Sequence, residues 1–323
     1  MPYKNMAAYL NACIDSILQQ NHDNWELIAV NDHSEDSSEE IIQNYAASDD
    51  RIFTVKNNGK GITPALLTGE QFIRGEFVSR MDADDIMPPK KLAKLLSCLT
   101  SSNQYDIATG KVTYFSENPI GQGYQAYEKW LNTLIEQQTH WEHIFTECVI
   151  ASPNWLIRKQ AFVKAGGFDS QFYPEDYDLC FRWWRNQLTI KSCEDITHWW
   201  REHANRTSRN SEDYMDLAFS QLKIHYFLKD VYQGGPITIW GTGKKAKDMV
   251  SLLLPKVTSI QWVSNNPEKI GKKIKGITIE PLNSIRTEHF HLITIAQIKT
   301  KQQVSDWLLK RGLRPFKNYI FMA

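Results

Sequence analysis

Glu26-Leu-Ile-Ala-Val30, followed directly by Asn31-Asp-His-Ser-Glu-Asp36, decides the architecture of the chain. The short apolar run has no polar alternation, so it reads as a strand buried on both faces, and the abrupt polar cluster reads as a functional loop at its carboxyl end. Upstream, Ala7, Leu10, Cys13, Ile14, Ile17 and Leu18 recur at helical spacing, which predicts an amphipathic helix over 6–20. Downstream, a helix over 37–47 leads to the strand Arg51-Ile-Phe-Thr-Val55 and a loop holding Gly59 and Gly61. A helix over 63–74 and the strand Glu76-Phe-Val-Ser-Arg80 come next. Strands alternating with helices imply a parallel α/β sheet, and such sheets bind ligands at the carboxyl ends of their strands. Both acidic clusters, at 31–36 and 82–85, fall at such ends.

Further along, residues 124–150 are rich in Trp, Tyr and His, and Trp155-Leu-Ile-Arg158 precedes a helix stopped by Gly166-Gly167. Near residue 236 the pattern restarts. Pro236-Ile-Thr-Ile-Trp240 reads as a strand, Gly241-Thr-Gly-Lys-Lys-Ala246 as its turn, 244–254 as a helix and Ser259-Ile-Gln-Trp-Val263 as the next strand. Tyr232-Gln-Gly-Gly-Pro236 is therefore the expected boundary between a first domain over 1–232 and a smaller one over 233–323.

The 323 residues carry 37 Lys plus Arg and 37 Asp plus Glu, so no field of one sign spans the molecule and a general nucleic-acid binder is not expected. Cys13, Cys98, Cys148, Cys180 and Cys193 are odd in number and form no CxxC pair, which argues against a disulfide framework and a zinc site. No apolar run approaches the roughly 20 residues of a membrane span, and Met1 is followed by a polar helix rather than a signal peptide. A cytoplasmic protein without a transmembrane segment is expected, with peripheral association at a membrane surface left open.

Three segments could carry chemistry. Arg80-Met-Asp-Ala-Asp-Asp85 places three carboxylates in four positions after a strand, an expensive arrangement unless a cation sits among them. Asp82 and Asp84 share a side of an extended backbone and could approach one hard cation, although a solvated turn would look the same. In Tyr173-Pro-Glu-Asp-Tyr-Asp-Leu179 a carboxylate beside aromatic bulk is partly desolvated, which raises its pKa toward that of a general base. Capping of the helix expected over 177–187 is the alternative. Trp199-Trp-Arg-Glu-His203, with Arg206, Ser208 and Arg209, offers one imidazole and several cations.

Taken in order, NDHSED, the Gly-rich loop, RMDADD, GGFD, PEDYDL and WWREH resemble the family 2 glycosyltransferases over about residues 1–215. The resemblance implies a GT-A-type α/β fold, a mostly parallel sheet flanked by helices, with the second, smaller domain Rossmann-like. It implies that Asp32 binds the nucleotide base, with Arg80 and Asp82 also toward the nucleotide sugar. Asp82 and Asp84 would hold Mg²⁺ or Mn²⁺ on the diphosphate, joined by His203. Glu175 and Asp176 would form the catalytic pair, Asp176 taking the acceptor proton with inversion. The donor would be a UDP-sugar by family analogy, and the acceptor a glycan or lipid-linked hydroxyl in surface-polysaccharide assembly. Arg201 and Arg206 are further candidates for the diphosphate, and the aromatic stretch from Tyr124 to Trp155 for the acceptor wall. Asn31 stands where many members have a first Asp.

Members of that family open with a strand of the type SVIIPVYN, whereas this sequence opens at Met1-Pro-Tyr-Lys-Asn5. The expectation is that only the end of this strand is present, that Pro2 and Tyr3 line the nucleotide pocket, and that the natural chain starts several residues upstream. No strand is predicted among residues 86–125 to take its place. In the second domain, Gly241-Thr-Gly-Lys-Lys-Ala246 fits a dinucleotide fingerprint after a strand, and VSNNPEKIG resembles the VDxNPxKIG signature of small Rossmann-like domains. Ser264 occupies the position of the acidic residue that would hold a ribose, so packing is the preferred role for this turn. Two other functions fit less well. A nucleotidyltransferase would want a basic, Gly-rich amino-terminal loop, and a non-catalytic nucleotide sensor would leave the acidic clusters without a task.

Overall fold

Leu27–Asn31 forms β2, which pairs in parallel with Ile52–Lys56 (β3) on one side and with Pro2–Tyr3 (β1) on the other. The computed structural model describes residues 1–100, 103–204, 206 and 216–323. Pro2 lies opposite Val30 and Tyr3 opposite Asn31, so β1 runs beside the end of β2. Helices Ala7–Leu18 (α1), Ser38–Ser48 (α2) and Ile62–Glu70 (α3) connect and flank these strands. Leu10, Cys13, Ile14 and Ile17 of α1 are buried in one cluster with Leu27, Ala29, Ile42 and Ile52. The helical spacing read in the sequence is thus the face that α1 turns to the sheet.

A second sheet runs in the order Phe77–Val78 (β4), Trp155–Arg158 (β6), Asp106–Phe115 (β5), Thr189–Arg201 (β7). β5 pairs parallel to β7 and antiparallel to β6, which in turn pairs antiparallel to β4. Lys91–Thr100 (α4), Gln122–Gln137 (α5), Lys159–Lys164 (α6) and Glu175–Arg185 (α7) complete this part. The ten-residue β5 lies in this second sheet and not beside β1 and β2, so it does not take the place of a longer first strand. Residues 106–110 are buried on both faces, so the apolar/polar alternation that betrays a strand is absent there. β7 was equally hidden, because Glu194, Asp195 and Ile196 are exposed in mid-strand, where its register with β5 shifts. β4 spans only two of the five residues expected. The two sheets are separate, and residues of both β2 and β4 line a cavity of about 220 Å³.

The chain divides into two compact units, one of Met1–Trp141, Val149–Gln171 and Glu175–Asn210, the other of Glu142–Cys148, Phe172–Pro174 and Ser211–Ala323. In the second unit, Asp216–Tyr226 (α8) precedes a sheet of Ile237–Trp240 (β8), Ile260–Ser264 (β9), Lys273–Ile274 (β10), Ile277–Pro281 (β11), Phe290–Ile293 (β12) and Tyr319–Phe321 (β13). Its order is β10-β11-β9-β8-β12-β13, parallel throughout except for the β10–β11 hairpin. Lys244–Leu253 (α9) and Ile298–Leu309 (α10) flank it. Trp240, Val263, Ile293, Leu308 and Tyr319 share its core. All five cysteines are free, and among the described residues no helix is long and apolar enough to cross a membrane.

Candidate active site

Each of the three carboxylates in the turn after β4 has its own compensation. Arg80 is buried at 8% exposure and bridges two acidic clusters, its Nε donating to Asp82 Oδ1 (2.9 Å) and its Nη1 to Glu175 Oε1 (2.9 Å). Asp84 Oδ2 lies 2.9 Å from His203 Nε2, and Arg201 Nε donates to the Asp84 carbonyl (2.6 Å). Asp85, fully buried, accepts the Arg201 amide (2.8 Å) and lies 2.8 Å from His198 Nε2. His198 Nδ1 is 3.2 Å from Lys91 Nζ, which also donates to the Pro153 carbonyl (2.6 Å). The cation demanded by the acidic turn is therefore supplied in part by the protein, through Arg80.

Burial, reinforced by Asp84 and Asp82, pushes the Asp85 carboxyl well above the carboxylate range, while burial pushes Lys91 down to about 7 and His198 well below its ordinary value. Two proton arrangements satisfy the three groups: Lys91 as the cation donates to Nδ1 of a neutral His198 whose Nε2–H donates to the Asp85 carboxylate, or a protonated Asp85 donates to Nε2 while Nδ1–H donates to a neutral Lys91, and burial favours the second.

Glu175 and Asp176 open α7. Their position in its first turn puts both carboxylates at the positive end of the helix dipole. Asp176 accepts the Tyr177 amide (2.8 Å), and its carboxyl is pushed up to about 7, first by desolvation and then by the Glu175 charge, with Arg80 opposing. Behind the pair, α7 buries Tyr177, Phe181 and Trp183, and Trp183 meets Trp155 edge-on at 5.1 Å. Trp155, Phe168 and Trp183 line one small cavity with Asp176, whose side chain is half-buried.

Asp32 ends β2 with both oxygens engaged. Asn57 Nδ2 donates to Oδ1 (2.6 Å), and the Gly61 amide donates to Oδ1 (3.0 Å) and Oδ2 (3.1 Å). Gly61 sits at φ +97°, a conformation that favours glycine and aims its amide at Asp32. The Asp32 amide donates to the Tyr3 carbonyl (2.8 Å), and the Tyr3 hydroxyl lies 3.1 Å from Thr54 Oγ1. Pro2 and Tyr3 thus stand beside the Asp32 loop, with the Tyr3 ring buried.

Arg201 lies over the Tyr9 and Phe115 rings, and the Tyr9 ring is 4.7 Å from that of His203. Arg206 packs over Trp200, Tyr114 and Tyr124 and donates to Glu202 Oε2 (3.3 Å). Both arginines are held within the protein, and Ser208 and Arg209 lie outside the described residues. The sequence reading did not find Lys91, His198 or Asn57. The signal for His198 was its place in the inward series His198, Trp200, Glu202, all buried.

Asp84 and His203 fit a shared divalent cation. Their 2.9 Å approach is that of a hydrogen bond, and an imidazole nitrogen and a carboxylate oxygen this close are donors that would suit a divalent cation. His203 Nδ1 is buried with no protein hydrogen-bond partner. Among the described residues no group of three or more His, Cys, Asp or Glu surrounds one point, so the remaining ligands would come from substrate and water. Asp82 is turned to Arg80.

A parallel β1–β2–β3 layer with Asp32 just after β2, a mixed sheet whose β4 leads into Asp-Ala-Asp, and an acidic pair opening α7 are the architecture of a glycosyltransferase of GT-A-type fold. The chain belongs to glycosyl transferase family 2, which matches residues 1–166, more than half of its length. Residues 235–315 match the family described as C2185-like, N-terminal. An uncharacterized glycosyltransferase of Rickettsia prowazekii (strain Madrid E) is 28% identical over 266 residues, 72% of this chain and 77% of that protein. One from Haemophilus influenzae (strain ATCC 51907 / DSM 11121 / KW20 / Rd) is 25% identical over 98% of this chain and 94% of its own. Residues 1–349 of TarS from S. aureus, solved with UDP-GlcNAc, superpose with a TM-score of 0.54 at 15% identity, covering 78% of this chain and 70% of that one. The mannosyltransferase PcManGT from Pyrobaculum calidifontis, solved with GDP-Man and Mn²⁺, gives 0.52 at 16% identity over 72% of this chain and 63% of that one.

Proposed function

We propose that the protein transfers a sugar from a nucleotide sugar, in first place a UDP-sugar, to a glycan or lipid-linked hydroxyl in surface-polysaccharide assembly, with inversion. The observation that carries this reading is Arg80, which draws Asp82 and Glu175, 93 positions apart in the chain, onto one cation and so sets the Asp-x-Asp turn beside the acidic pair. The UDP-GlcNAc and GDP-Man complexes of the structural neighbours support a nucleotide-sugar donor.

Asp32 is read as the base-binding residue, its carboxylate pre-positioned by Asn57 and Gly61. Asp84 and His203 are read as the protein ligands of Mg²⁺ or Mn²⁺, with Asp82 acting through Arg80 or bound water. When bound, the cation acts as a Lewis acid, taking up charge that the departing diphosphate acquires. Asp176 removes the proton of the acceptor hydroxyl as its oxygen bonds to the anomeric carbon and the bond from that carbon to the diphosphate breaks. A carboxyl held near 7 is matched to that task, since it is a stronger base than an ordinary carboxylate yet still ionises near neutrality. Glu175, held by Arg80, is read as orienting the acceptor. Residues 233–323 are read as a packing or regulatory domain that follows a catalytic domain over 1–232.

Transfer from a panel of radiolabelled nucleotide sugars, with Mn²⁺ and with chelator, tests the reading. Chelator is expected to abolish transfer, and Asp176→Asn to lower kcat about 10²- to 10⁴-fold with donor affinity little changed. Wild-type activity of Asp84→Ala in metal-free buffer would remove the metal assignment, and an equal loss of donor affinity in Asp176→Asn would make Asp176 a binding residue.

A further inference from the structure

Behind Asp176 the structure holds a small cavity of about 10 Å³, lined by Arg80, Ser152, Glu175, Asp176, Arg182 and Trp183 among others. Three of these residues turn buried polar atoms to no protein partner: Trp183 Nε1, Arg182 Nη2 and Ser152 Oγ. Trp183 is 1% exposed and Ser152 8%, so bulk solvent does not serve them. Arg182 is otherwise fully committed, Nε donating to Asp178 Oδ2 (2.8 Å) and Nη1 to the carbonyls of Ala165 (2.9 Å) and Gly167 (2.8 Å). Asp176, Leu179, Cys180 and Trp183 stand at i, i+3, i+4 and i+7 of α7, one face of the helix, which is why they meet at a single space.

A buried donor without an acceptor costs about 1 to 3 kcal/mol, and three around one space are not expected unless something there accepts from them. The volume is about that of one water probe sphere, and the lining is polar enough to give a water its usual two to four partners. We propose that this cavity is a site for one structural water, which accepts from Trp183 Nε1 and Arg182 Nη2 and donates to Ser152 Oγ and to the Asp176 carboxylate, making Trp183 and Ser152 positioning residues for the base. The inference rests on the reading of Asp176 as the general base and extends it. A hydrogen bond donated to the ionised carboxylate favours that form, so the water opposes the desolvation that holds the Asp176 carboxyl up. The charged groups facing Asp176 are Glu175, Arg80 and Asp82, and each acts on it whether or not the water is there.

Diffraction to about 1.6 Å from crystals of the full chain reads the site without reference to activity. An ordered peak within about 2.7 to 3.2 Å of both Trp183 Nε1 and Ser152 Oγ is expected. In Trp183→Phe, which keeps a ring of similar shape, and in Ser152→Ala, the peak should vanish. The acid limb of kcat/KM should then move to higher pH by about half a unit to one unit, lowering activity below the limb about three- to tenfold, with the donor KM unchanged. Absence of the peak in the wild-type crystal, or profiles of both variants that overlay on the wild type, would overturn the proposal. If Asp176→Asn keeps full activity the catalytic assignment fails, and the diffraction result still decides the water site.

Discussion

Asp176 and Arg80 show how single side chains set the chemistry. Desolvation, Glu175 and Asp82 raise the Asp176 carboxyl to about 7, and Arg80 opposes them. The base works only when deprotonated, so activity should rise with pH through this value. Glu175→Gln removes one of the three raising influences, leaving desolvation and the Asp82 charge, so the acid limb of kcat/KM should move to lower pH. A limb that stays in place would show that Glu175 does not act on Asp176 electrostatically. The sign for stability runs the other way. A carboxyl raised in the folded state binds its proton more tightly than in the unfolded chain, so its contribution falls as pH rises toward 7, by about 1.4 kcal/mol per unit. Asp176→Asn lacks this loss and should gain on the wild type in melting temperature between pH 5 and pH 8.

Among the elements, β7 holds the acidic turn directly, its Trp199 forming an antiparallel bridge with Ile86 just after the turn. His198 and Arg201 of β7 grip Asp85 and Asp84, and Lys91 at the start of α4 reaches His198 from the other side. Lys91→Met removes the amine that meets His198 and the Pro153 carbonyl in a wholly buried network and is expected to cost about 1 to 3 kcal/mol in urea unfolding. A cost below 1 kcal/mol would mean that the network is neutral without Lys91. The registration of β7 depends on Gly110, where a Cβ would meet Thr197 Cγ2 at 2.8 Å and the Asp195 carbonyl at 3.1 Å. Gly110→Ala therefore forces β7 outward at its register shift. We expect a loss of about 1 to 3 kcal/mol, and an unfolding midpoint equal to that of the wild type would show that the bulge yields freely.

For the molecule as a whole, the prediction concerns the second unit. Its fingerprint turn is read as a packing element: Trp262 Nε1 donates to the Gly241 carbonyl (2.6 Å) and Thr294 Oγ1 to that of Trp240 (2.6 Å). A Cβ on Gly241 would lie 2.8 Å from Thr294 Oγ1, and this glycine sits at φ +98°. Ser264 is buried and its hydroxyl accepts the Asn266 amide (3.1 Å), so no carboxylate is offered to a ribose there. Calorimetry with NAD(H) and NADP(H) should show no tight binding. A submicromolar affinity for either would overturn the packing reading.

The alternation of strands and helices over 26–85, the acidic clusters at strand ends and the restart near residue 236 were legible in the sequence, because each depends on a local period or on residues within one turn of each other. The chemistry types at the site were legible for the same reason: Asp32, the Asp82–Asp85 turn, Glu175–Asp176 and His203 are each a short pattern. What they touch was not. Arg80 meets Glu175 across 95 residues, His198 meets Asp85 across 113, and Asn57 reaches Asp32 across 25. No residue type at either end announces such a partner, since many side chains could serve and only the packing of β4 against β6, β6 against β5 and β5 against β7 selects one. β5 and β7 themselves were hidden by burial on both faces and by a mid-strand shift of register, which erase the period a sequence can display. Residue identity therefore set which acids, bases and ligands this protein has, and tertiary packing decided which of them face one another, because a buried charge is tolerated only where the fold brings its partner within hydrogen-bonding reach.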